Sequence, residues 1–176
     1  MASTATAALP SLLERFLLRE LHSLRRELER YPDEASLWIT PAGLPNSAGT
    51  LALHIAGNLQ HYIGARLGRS GYMRDRQREF AVRNVPRSEI LAEIDAAEEA
   101  IRGTLPRLTP EQLAADYPEP VGGVRLRTDA YLLQVTVHLA YHLGQIDYHR
   151  RVVTGDRTGV GAIAIADLDL ARPTGS

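Results

Sequence analysis

Two histidines four residues apart are the clearest candidates for chemistry in this chain. His138 and His142 lie in the segment V-T-V-H-L-A-Y-H-L-G-Q-I-D-Y-H-R-R (135–151), which contains no proline and a single glycine. This composition predicts a helix, and residues at i and i+4 share one helix face with Cβ atoms about 5–6 Å apart. Two imidazoles at that spacing can converge on one metal ion at about 2.1 Å each.

Apolar residues surround this histidine pair at helical spacing. They are Leu132, Val135, Leu139, Leu143 and Ile146. The two imidazoles are therefore expected in or beside a buried stripe, where each needs either hydrogen-bond partners or a metal. The pair alone leaves both possibilities open, because this spacing also arises by chance in a chain with six histidines. A third ligand elsewhere in the chain is needed to decide.

A second predicted helix, from about residue 47 to residue 67, supplies a candidate for that third ligand. His54, Asn58 and His61 form a polar line at i, i+4 and i+7 along this otherwise largely apolar segment. Such a line faces either water or a buried polar site. We predict His54 as the third ligand, whereas His61 is either a surface residue or an outer residue that supports the site.

Two glycines of the same predicted helix also share a face. Gly57 and Gly64 are seven residues apart. Because glycine in a helix interior costs about 1 kcal/mol relative to alanine, a pair in register suggests close approach by another helix or by a ligand.

The long connection from residue 68 to residue 87 is rich in arginine. Six arginines against Asp75 and Glu79 leave a local excess of four positive charges. A solvated loop is the default interpretation, and the alternative is a guanidinium that reaches over a pocket to hold a carboxylate. The connection is long enough to run back along the molecule, which would make the second and third main helices parallel.

The remaining periodic segments complete an all-α chain with four main helices. These helices are predicted to begin near Ser11, Ser47, Ser88 and Thr128. A capping box at Thr109–Gln112 predicts a short extra helix before the fourth main helix, which runs to about Val153 and is stopped near Gly155. We predict a four-helix bundle over residues 11–155, with tails at 1–10 and 156–176.

Composition narrows the functional classes. The chain has 176 residues, 44% of them apolar and 23% charged, which fits one ordinary globular domain. The net charge of −1 argues against a nucleic-acid binder, and no apolar run reaches the length of a membrane span. No cysteine is present, so any thiol chemistry must use an external thiol. The expected compartment is the cytoplasm.

The four main helices, with L-A-L-H-I-A-G-N-L on the second and H-L-A-Y-H-L-G-Q-I on the fourth, resemble the DinB-like (YfiT-like) metalloenzyme superfamily over roughly residues 11–153. The resemblance implies an up-down-down-up bundle, usually a homodimer. It also implies a divalent metal held by His54, His138 and His142, with zinc the first choice and nickel or iron also compatible with three imidazoles.

The resemblance further implies thiol-dependent enzymes that use mycothiol, bacillithiol or glutathione for S-transfer or maleylpyruvate isomerisation. On that basis, the predicted function is S-transfer from a metal-activated thiol to a small electrophile, or thiol-dependent isomerisation of that electrophile. The alternative is a dimeric bundle with a structural, sensory or vestigial metal and no turnover, so enzymatic activity stays open. Asn58 and Gln145 are predicted to support a ligand or to contact substrate. No general base or other catalytic residue is identified.

Two other functional classes are disfavoured by missing motifs. A di-iron carboxylate bundle needs paired Glu-x-x-His motifs, and a serine hydrolase of the α/β type needs a Gly-x-Ser-x-Gly elbow. The sequence contains neither motif.

Overall fold

Four long helices account for about half of residues 9–168, the part of the chain that this computed structural model describes. The α-helices are α1 (Leu9–Glu29), α2 (Ala48–Leu59), α3 (Arg76–Ala81), α4 (Arg87–Thr104), α5 (Pro110–Ala114) and α6 (Thr128–Thr154). A π-helical turn (Gln60–Ala65) extends α2, and short 3-10 turns occupy Ala35–Trp38, Leu105–Arg107 and Ile165–Asp167. None of the helices within the described residues is long and apolar enough to span a bilayer.

The two central helices of the chain, α2 and α4, run in the same direction. The Gln60 side chain donates to Glu93, while further along both helices Gly64 faces Ala100. A Cβ added at Gly64 would lie 2.9 Å from the Ala100 Cβ, so glycine is what permits this close helix approach. The parallel arrangement agrees with the prediction from the long connection.

Two other neighbouring pairs are antiparallel, whereas α1 and α6 are parallel, with Glu27 near the end of α1 bonded to Arg150 near the end of α6. Residue numbers run in opposite directions across α1 and α4 and across α2 and α6. The contacts that establish this are His22–Glu98, Arg25–Asp95, His54–His138 and Tyr62–Tyr131. Because α1 packs against α4 and α6, and α2 packs against the same two helices, the result is an up-down-down-up bundle, and the predicted fold class is confirmed.

The core follows the apolar stripes that the sequence predicts. Its fully buried members include Leu17, Leu21, Leu24, Leu28, Ile55, Leu59, Ile94, Ile101, Leu139 and Ile146. Truncating such a buried leucine to alanine typically costs 2–5 kcal/mol, because a cavity remains where the side chain was. Leu37 and Trp38 close one end of the core, and the Trp38 ring packs directly on Gly49.

The connection between α2 and α4 differs from the prediction of a loop, because it contains the six-residue helix α3. Asp75 caps this helix by accepting a hydrogen bond from the Arg78 backbone N–H at 2.8 Å. The Phe80 ring packs on the His54 imidazole with ring centroids 4.8 Å apart. A short helix of this kind is fixed by its tertiary contacts, which local sequence periodicity does not report.

The segment after α6 packs against the bundle as far as residue 168. Arg150 donates to the carbonyls of Asp156 and Thr158, and Arg26 donates to the carbonyl of Val160. Of the two predicted tails, residues 1–8 and 169–176 lie outside the described residues, while Leu9 and Pro10 already belong to α1.

Candidate metal centre

Three histidines from two helices meet in the interior of the bundle. His54 Nε2 lies 3.3 Å from His138 Nε2, which in turn lies 3.1 Å from His142 Nε2. One ligand atom from each residue lies within 4.8 Å of the other two. We call His54, His138 and His142 the histidine cluster. Within residues 9–168 it is the one group of three or more potential ligands (His, Cys, Asp or Glu) so arranged that it could hold a metal ion.

The spacing of the nitrogens in the histidine cluster suits a metal ion. Nitrogen ligands about 2.0–2.1 Å from a tetrahedral centre lie roughly 3.4 Å from one another, close to the 3.1 and 3.3 Å observed. A neutral imidazole nitrogen without a proton is only an acceptor, and facing acceptors repel one another unless a proton or a cation lies between them. The donor set therefore fits a divalent ion of the zinc type.

Hydrogen bonds on the outer ring nitrogens orient two of the three imidazoles. His54 Nδ1 lies 3.0 Å from Glu79 Oε2, and His142 Nδ1 lies 2.6 Å from Gln145 Oε1. Arg74 Nη2 also lies 3.2 Å from His54 Nδ1, but Arg74 donates to Glu79 at the shorter distances of 2.6 and 2.8 Å. With a carboxylate oxygen and an amide oxygen as acceptors, we assign the proton to each Nδ1 and the lone pair of each Nε2 to the cluster. This is the arrangement that supports metal-binding histidines in proteins.

The sequence did not single out Glu79. This residue lies on α3 with its side chain 8% exposed, and Arg74 grips both of its carboxylate oxygens, with Nε–Oε1 at 2.6 Å and Nη2–Oε2 at 2.8 Å. Burial alone raises the pKa of Glu79, but the hydrogen bonds and charges of Arg74 and His54 outweigh it and hold the pKa below its ordinary value. Glu79 is therefore ionised at neutral pH.

One feature of the sequence, a glycine within a helix, marks the place where Glu79 approaches α2. Gly57, predicted as a site of close approach, lies against Glu79, and a Cβ added at Gly57 would be 2.3 Å from Glu79 Oε1. The two glycines thus leave space for different neighbours. Gly64, in the π-helical turn, leaves space for α4, and Gly57, in α2, leaves space for a buried carboxylate.

The imidazoles on α6 are held neutral by their surroundings. Burial, followed by the nearby His142, His54 and Arg74, lowers the pKa of His138 to about 4. Burial also lowers the pKa of His142, and the hydrogen bond to Gln145 only partly opposes that shift. Neutral imidazoles are the form that binds metals, so these two residues are ready to act as ligands at neutral pH.

A cavity of about 240 Å³ opens beside the histidine cluster. Its lining includes His54, Asn58, Tyr62, Arg74, Arg76, Tyr131, Gln134 and His138. Asn58 is 8% exposed, and its buried Oδ1 has no hydrogen-bond partner within the described part of the chain. A buried polar atom without a partner is uncommon and costly, which marks Asn58 as a group available to a ligand.

His61 does not join the histidine cluster. Its Nε2 lies 3.0 Å from Glu119 Oε1, and Arg66 binds the other oxygen of the same carboxylate at 2.6 Å. His61 lies in the π-helical turn, whose wider geometry rotates it off the face that carries His54 and Asn58. The predicted polar line therefore ends at Asn58.

The histidine near the end of α6 has the sequence position of a surface or helix-end residue, but it is buried. His149 is 1% exposed. The Tyr31 hydroxyl donates to its Nδ1 at 2.7 Å, and its Nε2 donates to the Ile39 carbonyl at 2.8 Å. Both ring nitrogens are satisfied inside the protein, so His149 is part of the core.

Comparison with known proteins assigns the fold to one family. A sequence model of the DinB superfamily matches residues 17–146, a range that includes all three residues of the histidine cluster. Searches of curated proteins and of solved structures return no match.

Proposed function

The chain belongs to the DinB superfamily, and on that premise we propose that it binds one divalent metal ion through His54, His138 and His142. We further propose that it uses the ion to activate a low-molecular-weight thiol for S-transfer to, or isomerisation of, a small electrophile. The observation that carries the proposal is the convergence of three Nε2 atoms, 3.1 and 3.3 Å apart along the two measured pairs.

Zinc is our first choice of metal, with nickel or iron as alternatives that also accept three imidazoles. A divalent ion with three neutral ligands and an open position supplies a Lewis acid that holds a thiol as thiolate at neutral pH. Within residues 9–168 the group has three members, so the remaining coordination positions are left to a non-protein ligand. The chain has no cysteine, so the thiol comes from outside.

The residues around the histidine cluster bind and orient the metal and the reactants in this proposal. Glu79 and Gln145 hold the outer nitrogens of two ligands. Asn58 presents a free amide oxygen beside the cluster, and we assign it to contact with the bound thiol or its acceptor. The cavity of about 240 Å³ is below the roughly 300–1,000 Å³ of sites for drug-sized ligands, so the electrophile is small. The cytoplasm suits this chemistry, because thiols stay reduced there.

We also propose that the protein is a homodimer through the outer face of α6. Five large apolar or aromatic side chains along this helix are each at least half exposed. They are Leu133, Val137, Tyr141, Tyr148 and Val152. A stripe of this kind on a monomer would leave a large apolar surface in water, and a second copy of the same stripe covers it in a two-fold interface.

Metal analysis followed by a thiol-consumption screen tests the proposed function. We expect about one zinc, nickel or iron ion per chain, and conversion of a small electrophile only when a low-molecular-weight thiol is present, with the thiol consumed in S-transfer and regenerated in isomerisation. His138→Ala is the control, which we expect to lose both properties. Metal binding without thiol-dependent conversion of any electrophile would instead support the non-catalytic dimeric bundle, and the absence of bound metal would contradict both functions.

A further inference from the structure

A buried ion pair from outside the four main helices contacts the histidine cluster at His54. Glu79 on α3 and Arg74 just before α3 bond to each other through two contacts, with both side chains 8% exposed. The second oxygen of Glu79 accepts from His54 Nδ1 at 3.0 Å. Burying two charges costs free energy, so the net contribution of such a pair to stability is small.

We propose that Glu79 is a positioning residue that sets the metal affinity of the histidine cluster through His54. This inference rests on the proposed function, because it concerns the strength of the same metal site. Glu79 fixes the His54 ring with Nε2 toward His138, and its negative charge makes that imidazole a stronger donor.

Glu79 is also the source of negative charge for a site whose ligands are neutral. Three imidazoles leave the full charge of a divalent ion uncompensated, and among residues 9–168 Glu79 is the one carboxylate that bonds a residue of the histidine cluster. The corresponding partner of His142 is the uncharged amide of Gln145. The two outer partners therefore differ in charge. Because Arg74 Nη2 also lies 3.2 Å from His54 Nδ1, loss of the Glu79 charge would leave an unpaired guanidinium beside the site, so the larger influence on a bound cation belongs to Glu79.

Arg74 and Gly57 keep the Glu79 carboxylate in place. Arg74 holds both oxygens, and its guanidinium lies 5.5 Å from the centre of the Tyr62 ring, which fixes the arginine in turn. Gly57 leaves the space that the carboxylate fills, since a Cβ there would lie 2.3 Å from Glu79 Oε1. The position of the carboxylate thus depends on a missing side chain on α2, the helix that carries His54.

The first experiment compares two carboxylates that bond histidines. Glu79→Gln removes the charge next to His54, and Glu119→Gln removes the charge next to His61, where the contact is also 3.0 Å. Zinc affinity is measured by chelator competition, and the visible bands of bound Co²⁺ report the ligand field. We expect Glu79→Gln to weaken zinc binding by 10- to 100-fold and to shift the Co²⁺ bands. Glu119→Gln should stay within twofold of wild type.

The second experiment moves the carboxylate without removing it. Gly57→Ala places a methyl group against Glu79 Oε1, while Gly103→Ala, also within a helix, meets no atom within 4 Å. We expect Gly57→Ala to weaken zinc binding, Gly103→Ala to leave it unchanged, and the double variant Gly57→Ala/Glu79→Gln to bind about as weakly as Glu79→Gln alone. Non-additivity is expected because both changes act through one contact.

The outcomes separate this inference from the proposed function. If wild-type protein binds zinc and Glu79→Gln binds it within twofold with unchanged Co²⁺ bands, Glu79 has no positioning role and the proposed function stands. Fully additive losses in the double variant would likewise overturn the inference. If wild-type protein binds no divalent metal, the proposed function itself fails.

Discussion

Two polar clusters lie eight residues apart on α6, about 12 Å along the helix axis, and they solve the problem of burying polar groups in opposite ways. One is the histidine cluster around His138 and His142. The other, which we call the arginine cluster, consists of Arg150, Glu27 and Asp147 with the carbonyls of residues 156 and 158.

The arginine cluster is closed. Arg150 is fully buried, its Nε donates to Glu27, and its two terminal nitrogens donate to Asp147 and to the carbonyls of Asp156 and Thr158. Every guanidinium nitrogen thus ends on an acceptor supplied by the protein. The cluster joins α1, α6 and the segment after α6, and its buried cation has all its partners inside the protein, although Glu27 Oε1 has no hydrogen-bond partner within the described residues.

The histidine cluster is open by comparison. Its outer nitrogens on His54 and His142 are satisfied by Glu79 and Gln145, but its three inner nitrogens converge on one another, and one proton on His138 Nε2 could satisfy only one of the two contacts. Beside it, the Asn58 amide oxygen has no partner within the described residues. In the arginine cluster, the protein supplies a partner for every nitrogen of a buried cation, which is typical of a group that stabilises a fold. In the histidine cluster, three ring nitrogens converge without a protein cation between them among the described residues, which indicates a binding site.

The largest expected effect concerns the arginine cluster. Arg150→Met leaves the fully buried Glu27 without its partner, and we expect a loss of about 3–5 kcal/mol in the free energy of unfolding. Urea unfolding of the metal-free protein measures it. The matched control is Arg151→Met, since Arg151 is paired at the surface with Asp147 and its loss should lower stability far less. Equal losses would contradict the contrast between a buried and an exposed pair.

Removing a histidine from the open cluster should show the reverse pattern. His138→Ala deletes one of three ligands, so we expect zinc affinity to fall by more than the roughly 100-fold that loss of an outer partner can cause. The stability of the metal-free protein should change much less, because His138 Nε2 has only two other imidazole nitrogens as partners and no ionic partner is left buried. Chelator competition and urea unfolding measure the two quantities. A stability loss as large as that of Arg150→Met would show that the cluster is structural.

The lowered pKa of His138 predicts how the metal-free protein responds to acid. Its pKa of about 4 in the folded state lies below the ordinary 6.5, so the unfolded chain binds the proton more readily between those values. Stability should therefore be unaffected by His138 above about pH 6.5 and should fall as the pH drops from 6.5 toward 4.

The difference between wild type and His138→Ala isolates this contribution. We expect the wild type to lose on the order of 1–3 kcal/mol more than the variant between pH 6.5 and pH 4. Unfolding curves at several pH values provide the measurement. Parallel pH profiles for the two proteins would contradict the shifted pKa of His138.

The smallest effect concerns the uncharged outer partner. Gln145→Ala removes the acceptor for His142 Nδ1, a bond of 2.6 Å on the exposed side of the helix. A neutral hydrogen bond contributes about 0.5–1.5 kcal/mol, so zinc affinity should fall by about 3- to 10-fold. A loss equal to that of Glu79→Gln would show that orientation, not charge, is what the outer partners supply.

Most of the fold follows from patterns that are local in the sequence. The helical periodicity, the capping box at Thr109–Gln112 and the left-handed Gly155 that ends α6 were all readable from neighbouring residues. The three residues of the histidine cluster were predicted because two share a helix face and the third lies on a polar line of another helix. Their spacing was a consequence of helix geometry.

The features that sequence reasoning missed depend on contacts between distant segments. Glu79 meets His54 across 25 residues, and the Arg150–Glu27 pair joins residues 123 apart. Each looks like an ordinary surface charge in its own segment, as His149 looks like a helix-end histidine. Burial and partners arise from the packing of α1, α3 and α6, and periodicity within one segment carries no information about them.

A crystal structure of the zinc-loaded protein, with anomalous diffraction measured at the zinc edge, tests the central claim most directly. The account predicts one strong anomalous peak per chain, about 2.0–2.1 Å from Nε2 of His54, His138 and His142, with Glu79 still bonded to His54 Nδ1. No peak between these three nitrogens, or a peak coordinated by other residues, would contradict it.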